Sequence, residues 1–290
     1  MPETRGARMQ LQRFATPEGL LAVASDFLVE REAQHNLILG ILGNLMARPD
    51  EERPAPYFAA GVDGGRVLGV AILTPPWQIV LSEMDDARVV DLVVADRRED
   101  PLPGVLGPTR LAARFAERWS RETSQSSRLA MRERIFELTR VERPRPASGR
   151  MRPVRPTERA LLLEWLADFM AEAVPGDPIG DLGPIADRWI EGASRTMYLW
   201  VDGGLPVSMA GVGSPTPHGV RVGPVYTPPD RRGRGYASNL VAAASDEALA
   251  AGNRFCFLFT DLANPTSNRI YQEIGYEPIT DVDRWVFDPS

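Results

Sequence analysis

The chain has one cysteine and two histidines, and each shortage removes a class of chemistry. Cys256 lies inside an apolar stretch, so there is no disulfide frame and no cysteine-based metal site; it reads as a small packed hydrophobe. His35 and His218 alone argue against a zinc site or a Ser-His-Asp triad, and no metal is expected. There is no secretory-type apolar leader and no run long enough to span a bilayer, which points to a soluble, cytosolic protein without a membrane partner. Basic residues are not in excess. The formal net charge is −6 over 290 residues, with the arginines concentrated locally, so nucleic acid is not the expected partner. That length is long for one domain and comfortable for two, each with its own core.

What is present centres on residues 222–251. Val222 to Thr227 is apolar and β-prone, and Pro228 and Pro229 end it because proline donates nothing to a ladder. A helical pattern follows, with Ala237, Leu240, Val241, Ala244, Ala248 and Leu249 on one face and Gly252 placed to stop it. Between them stand Arg231, Arg232, Gly233, Arg234 and Gly235. Such a turn aims free backbone N–H groups at one point from the positive end of a helix, which suits a phosphate. The glycines permit close approach and the arginines match phosphate oxygens. A Walker loop would need a lysine followed by Ser or Thr after its second glycine. A dinucleotide fingerprint would need Gly or Ala where Ser238 stands.

Phe255 to Thr260 reads as a short buried strand. Asn264 then suits an N-cap, Pro265 the first helical position and Gly275 the position past the end. Asn264, Asn268 and Tyr271 fall four and three apart, hence on one face of that helix.

The pattern Arg232-x-x-Gly235-x-Ala237, together with the Asn264–Tyr271 face, resembles the GNAT acetyltransferase superfamily. The resemblance is strong over residues 196–287 and faint before them. It implies an α/β fold (an α+β mixed sheet) of two GNAT-like domains, each a twisted mixed β-sheet flanked by helices. It further implies acetyl-CoA as co-substrate and direct transfer of its acetyl group to a primary amine of a small molecule. Val225, Tyr226 and Thr227 would lie along the pantetheine arm, pairing through the backbone like an added strand. The loop from Arg231 through Gly233, Arg234, Gly235, Tyr236 and Ala237 to Ser238 would hold the pyrophosphate, and Asn264 and Asn268 would contact the cofactor. Tyr271 would donate to the departing sulfur. An ammonium of pKa near ~10 must lose its proton before attack, and a thiolate (thiol pKa about 8.5) leaves more easily with a donor. The strand from Val222 to Thr227 carries no acid to act as base; ordered water, Glu172 or Asp261 is left for that role.

Earlier in the chain, residues 17–47 read as helices, Tyr57 to Val62 and Arg66 to Thr74 as strands, Arg88 to Val94 as another strand, Thr109 to Thr123 as a helix, and Leu129 to Val141 as a strand. Residues 143–150 are Pro- and Gly-bearing and read as a linker, dividing residues 1–142 from a catalytic domain at 151–290. After it the order recurs: a strand at Met151 to Val154, helices at Glu158 to Ala173 and Leu182 to Ala193, and strands at Met197 to Val201 and Leu205 to Gly211. Val62-Asp63-Gly64-Gly65 and Val201-Asp202-Gly203-Gly204 are the same turn, and Asp96-Arg97-Arg98 echoes Asp230-Arg231-Arg232, so a degenerate duplication is expected. After its Asp-Arg-Arg the first copy has Glu99-Asp100-Pro101-Leu102-Pro103. Two carboxylates and two prolines are unsuited to pyrophosphate, which makes the first half a silent GNAT-like domain.

Residues 174–181 join the two helices that line the acceptor site in this family, and their acids would attract a cationic amine. The first half is free to narrow the acceptor cleft or to mediate a homodimer. Two other functions stay open: a non-enzymatic acyl-CoA sensor, and transfer from another acyl donor such as aminoacyl-tRNA, against which the acidic balance speaks.

Overall fold

A computed structural model of the chain describes residues 9–49, 54–173, 180–192 and 195–288. In chain order its elements are β1 (Gln10–Phe14), α1 (Pro17–Glu30), α2 (Asn36–Met46), β2 (Tyr57–Asp63), β3 (Arg66–Leu73), β4 (Ile79–Leu81), α3 (Arg88–Arg97), β5 (Gly104–Pro108), α4 (Thr109–Glu122) and β6 (Ser127–Leu138). They continue as β7 (Arg150–Pro153), α5 (Arg159–Ala173), α6 (Leu182–Ile190), β8 (Arg195–Asp202), β9 (Leu205–Gly213), β10 (Gly219–Tyr226), α7 (Tyr236–Ala250), β11 (Phe255–Asp261), α8 (Pro265–Ile274) and β12 (Glu277–Phe287). The order strand, two helices, three strands, helix, strand, helix, strand thus occurs twice. This is the duplication that the paired Asp-Gly-Gly turns suggested.

Two compact units result, residues 1–133 with 280–290, and residues 134–279. In the first, strands run in the order β1-β2-β3-β4-β5-β12. Only the β4–β5 pair is parallel; the others are antiparallel. Helices α1 and α2 cover one face through Leu20, Leu28, Ile38 and Leu42. Helices α3 and α4 cover the other through Val89, Val93, Phe115 and Trp119. In the second unit the order is β7-β8-β9-β10-β11-β6; β7–β8, β8–β9 and β9–β10 are antiparallel and β10–β11 is parallel. Helices α5 and α6 lie on one face and α7 and α8 on the other.

Three sequence expectations need correction. Residues 88–94 form the helix α3, not a strand. Their valines suggest β structure by propensity, but Val89, Val90, Val93 and Val94 are all buried at helical spacing, and burial of that stripe overrides propensity. Next, Asp96-Arg97-Arg98 closes α3, whereas Asp230-Arg231-Arg232 precedes α7, so that echo does not mark equivalent positions. The true counterpart of the β10–α7 loop is Ser82-Glu83-Met84-Asp85-Asp86-Ala87, between β4 and α3. It has no glycine, and Asp85 and Asp86 pair with Arg31, Arg66 and Arg88. At the place equivalent to the β10–α7 loop, the first unit thus presents paired carboxylates and no glycine.

The third correction concerns the boundaries. Residues 143–149 do not run between the units; they fasten the second one internally. Asn239 Nδ2 donates to the Arg145 carbonyl (2.9 Å), Trp200 Nε1 to the Ser148 carbonyl (2.8 Å), and Ser148 Oγ to Asp202 (2.9 Å). The C-terminal strand β12 belongs to the first unit, where residues 282–286 pair with 108–104 of β5. A Cβ on Gly104 would lie 2.1 Å from the Trp285 carbonyl, so only glycine admits this strand. Phe136 and Leu138 of β6 pack instead in the second unit. Composition marked an irregular segment correctly; which bodies it and the strands join is a matter of non-local pairing.

Candidate active site

The strands β10 and β11 pair only at Gly219–Arg221 with Phe255–Phe257. Beyond Arg221 the parallel ladder stops while both strands continue. On its other side β10 stays paired to β9, with one extra residue between Val222 and Val225. That bulge bends the strand and increases its local twist. The edge of β10 that faces away from β9 is thereby left without a strand partner from Val222 to Tyr226. Val225 and Tyr226 lie at the end of this free edge, and Thr227 follows it. The carbonyls of Tyr226 and Thr227 already accept from Ser208 Oγ (3.0 Å) and Arg232 Nε (2.8 Å), each keeping a second lone pair.

The strand delivers the chain into the arginine- and glycine-bearing loop. Gly233 and Gly235 have φ of 76° and 78°, a region that side chains disfavour. Gly235 is the N-cap of α7 and offers no side-chain cap, so the first-turn N–H groups of Tyr236, Ala237 and Ser238 stay available to an anion. The Tyr236 side chain is buried and donates to Asp202 (2.6 Å), which ties the Asp-Gly-Gly turn to the start of α7. Arg231 pairs with Asp230 at 3.0 Å and Arg234 reaches the Asp230 carbonyl at 3.5 Å. Arg232 makes a two-pronged contact with Glu172 at 2.9 and 2.7 Å. Glu172, one of the carboxylates considered as base, is therefore engaged by the loop.

Helix α8 forms as its punctuation implies. Asn264 Oδ1 caps it by accepting from Ser267 N (3.1 Å), Pro265 opens it and Gly275 closes it at φ 104°. Asn264, Asn268 and Tyr271 do share a face, but the two amides are used locally. Asn268 Nδ2 donates to the carbonyls of Asp261 (3.0 Å) and Asn264 (2.8 Å), and its oxygen accepts from Thr260. Asp261 in turn accepts from Ala263 N at 2.8 Å, a local turn. Tyr271 differs. Its ring packs edge-on against Tyr276 at 5.9 Å, burial pushes its pKa up to about 12, and its hydroxyl has no hydrogen-bond partner among the described residues. Cys256 is buried and its thiol is pushed up to about 12, which leaves it unsuited to act as a nucleophile.

Sequence reasoning missed Asp168, which accepts from the Tyr226 hydroxyl at 3.0 Å. Burial first, and then this contact, raise the Tyr226 pKa to about 12. Asp168 is an exposed acid on α5, one turn before Glu172, and nothing in the local sequence singles it out; only packing brings it to Tyr226. Of the expected acceptor loop, residues 174–179 lie outside the described residues. Asp181 is the N-cap of α6, accepting from Gly183 N at 2.8 Å. A cleft of about 600 Å³ opens there, crossed by the Arg159–Asp187 ion pair.

These features define a class: a mixed α/β protein whose split parallel strand pair leads into a glycine-capped, arginine-bearing helix N-terminus. Comparison with known proteins gives the family. Residues 160–276, all within the second unit, match the Acetyltransferase (GNAT) family. Over the whole length the fold is similar to that of solved structures. A GCN5-related N-acetyltransferase from Sphaerobacter thermophilus matches with TM-score 0.60 at 16% identity, over 96% of this chain and 95% of that one. A tandem GNAT protein from the clavulanic acid biosynthesis pathway matches with TM-score 0.56 at 12% identity, over 98% and 100%. A Drosophila protein matches with TM-score 0.66 at 13% identity, over 98% and 99%. A search of curated protein sequences gives no significant match. Among the described residues no helix is long and apolar enough to cross a membrane.

Proposed function

We propose that the protein is an N-acetyltransferase that moves the acetyl group of acetyl-CoA directly to a primary amine of a small molecule, at the second unit. The observation that carries this is the split of β10 from β11 immediately before the Gly235-capped N-terminus of α7. An unpaired strand edge offers backbone groups to the two amides of a pantetheine arm. The N–H groups from Gly233 to Ser238 would hold a pyrophosphate, with Arg231, Arg232 and Arg234 adding charge. Local use of the Asn264 and Asn268 amides leaves those residues the task of shaping α8, so that Tyr271 is presented. When bound, acetyl-CoA supplies an activated thioester.

The remaining chemistry falls to the chain. Tyr271 donates its proton toward the leaving sulfur, easing departure of a thiolate. Glu172 holds Arg232, which leaves amine deprotonation to ordered water or to Asp261. The first unit, with an acidic glycine-free loop at the equivalent place, has no such site.

Calorimetric titration with acetyl-CoA and with free CoA tests this, followed by detection of free thiol in the presence of primary amines. Micromolar binding with thiol release is expected. Binding without release to any amine would favour an acyl-CoA sensor, and no binding would refute the site.

A further inference from the structure

We propose that Arg195 and Arg221 form a carboxylate-binding subsite on the α5–α6 face of the second unit, so that the amine acetylated there is one that also carries a carboxylate. The substrate part of this rests on the transferase reading; the subsite itself does not.

The argument starts from register. Arg195 on β8 lies opposite Gly213 on β9, and Gly213 lies opposite Arg221 on β10. Residues directly opposite in adjacent strands share a face, so two arginines flank a residue with no side chain. Gly211, two positions away on the same face, makes further room: a Cβ there would lie 2.8 Å from both Arg195 Cδ and Met197 Sδ. The Arg195 guanidinium lies over the Trp189 ring at 5.0 Å and that of Arg221 over the Phe259 ring at 4.5 Å. Two cations are thus held in an apolar, aromatic setting.

Arg195 is more than nine-tenths buried, yet among the described residues it has no carboxylate partner. Nη2 donates to Ser214 Oγ at 3.0 Å, and Nη1 is buried with no hydrogen-bond partner among the described residues. Ser214 is the one non-glycine residue among those described with positive φ, 51°, a conformation kept where the surroundings demand it. Burial, and then the positive charge of Arg221, pull the Arg195 pKa down to about 9. Among the described residues the buried Arg195 guanidinium, facing a second cation, has no compensating carboxylate, and an anion would complete it. The donor edge left by Arg195 matches the planar pair of oxygens of a carboxylate. Arg221 is half-buried, which opens the row to solvent at that end. Arg221 also stands one residue before the split of β10, so a carboxylate held here keeps its amine near the proposed thioester.

The test uses full-length protein in phosphate-free buffer. The probes are N-acetylglycine, N-acetylleucine and N-acetylphenylalanine, each beside its primary carboxamide, and inorganic phosphate. Thermal shift is expected to show stabilisation by the acids but not by the amides, abolished in Arg195→Met and weakened in Arg221→Gln. In thiol-release assays the free amino acids should exceed their carboxamides at least tenfold in kcat/KM, a preference that Arg195→Met loses while keeping its affinity for acetyl-CoA. Removal of an uncompensated buried charge should leave the Tm of Arg195→Met unchanged or higher. Equal response to acids and amides in the wild type, or stabilisation by phosphate alone, would overturn the subsite. So would a lowered Tm in Arg195→Met with acid binding retained in Arg221→Gln, which would mark Arg195 as structural. If the wild type fails to bind acetyl-CoA while the acids still stabilise it through Arg195, the transferase reading falls and the subsite stands.

Discussion

Replacement of Gly235 separates the charge requirement of the loop from its backbone requirement. At φ 78° any side chain costs roughly 1 kcal/mol, less for Asn and Asp, which visit this region most readily. Space is not the obstacle: a Cβ would meet Asn239 Nδ2 at 3.6 Å and Ala147 Cβ at 3.7 Å, ordinary contacts. At the N-cap, Asn and Asp also supply an acceptor for first-turn N–H groups. Both Gly235→Asn and Gly235→Asp should therefore fold, within about 1 kcal/mol of wild type. They differ by one charge. At about 4 Å from a phosphate and an effective dielectric near 20, a carboxylate costs about 4 kcal/mol, or roughly a thousandfold in affinity. Calorimetry with CoA should give moderately weakened binding for Asn and none measurable for Asp, at matched Tm. Equal affinities for the two variants would refute the assignment of this loop to a pyrophosphate.

Tyr271→Phe should leave stability and CoA affinity unchanged, because the lost hydroxyl has no partner among the described residues, while kcat falls on the order of 10–100-fold; an unchanged kcat would remove Tyr271 from the chemistry. Glu172→Ala breaks a half-exposed pair with Arg232, which is worth at most about 1 kcal/mol of stability; CoA affinity should hold or rise, and loss of the acidic limb of the kcat/KM pH profile would instead make Glu172 the base. Buried His35 accepts from Glu83 N at 3.1 Å, and its Nδ1 lies 3.0 Å from the Leu28 carbonyl, an arrangement of the neutral ring that burial enforces by lowering its pKa from 6.5 to about 4. Below pH 6.5 the unfolded chain therefore binds the extra proton. Stability from this residue is present above that pH and is lost on acidification toward pH 4, by up to about 3 kcal/mol. Urea unfolding of wild type and His35→Leu from pH 7.5 to 4 should show their difference shrinking, and a constant difference would contradict the argument.

Much of the second unit was legible because its signals are local. Asn264, Pro265 and Gly275 bound α8 through groups within a few residues of one another. The repeated Asp-Gly-Gly turns join β2 to β3 and β8 to β9 in both halves, since two consecutive glycines at positive φ suit a tight hairpin. Helix α3 was misread for the opposite reason: Val89, Val90, Val93 and Val94 fit a strand by composition, and only the sheet they pack on makes them a helix face. The acidic loop of the first unit was likewise sought at residues 99–103, because a short match in letters carries no information about which elements flank it.

By itself the sequence determined the helix caps, the turn glycines and the arginine- and glycine-bearing composition of residues 231–238. Each depends on groups close together in the chain. The tertiary structure decided the rest: the placement of β12 in the first unit, the opening of β10 from β11, the capture of Arg232 by Glu172, and the meeting of Arg195 and Arg221 across Gly213. These depend on strand register and on packing between residues far apart in the chain, and a change of register by one residue would turn every side chain to the other face.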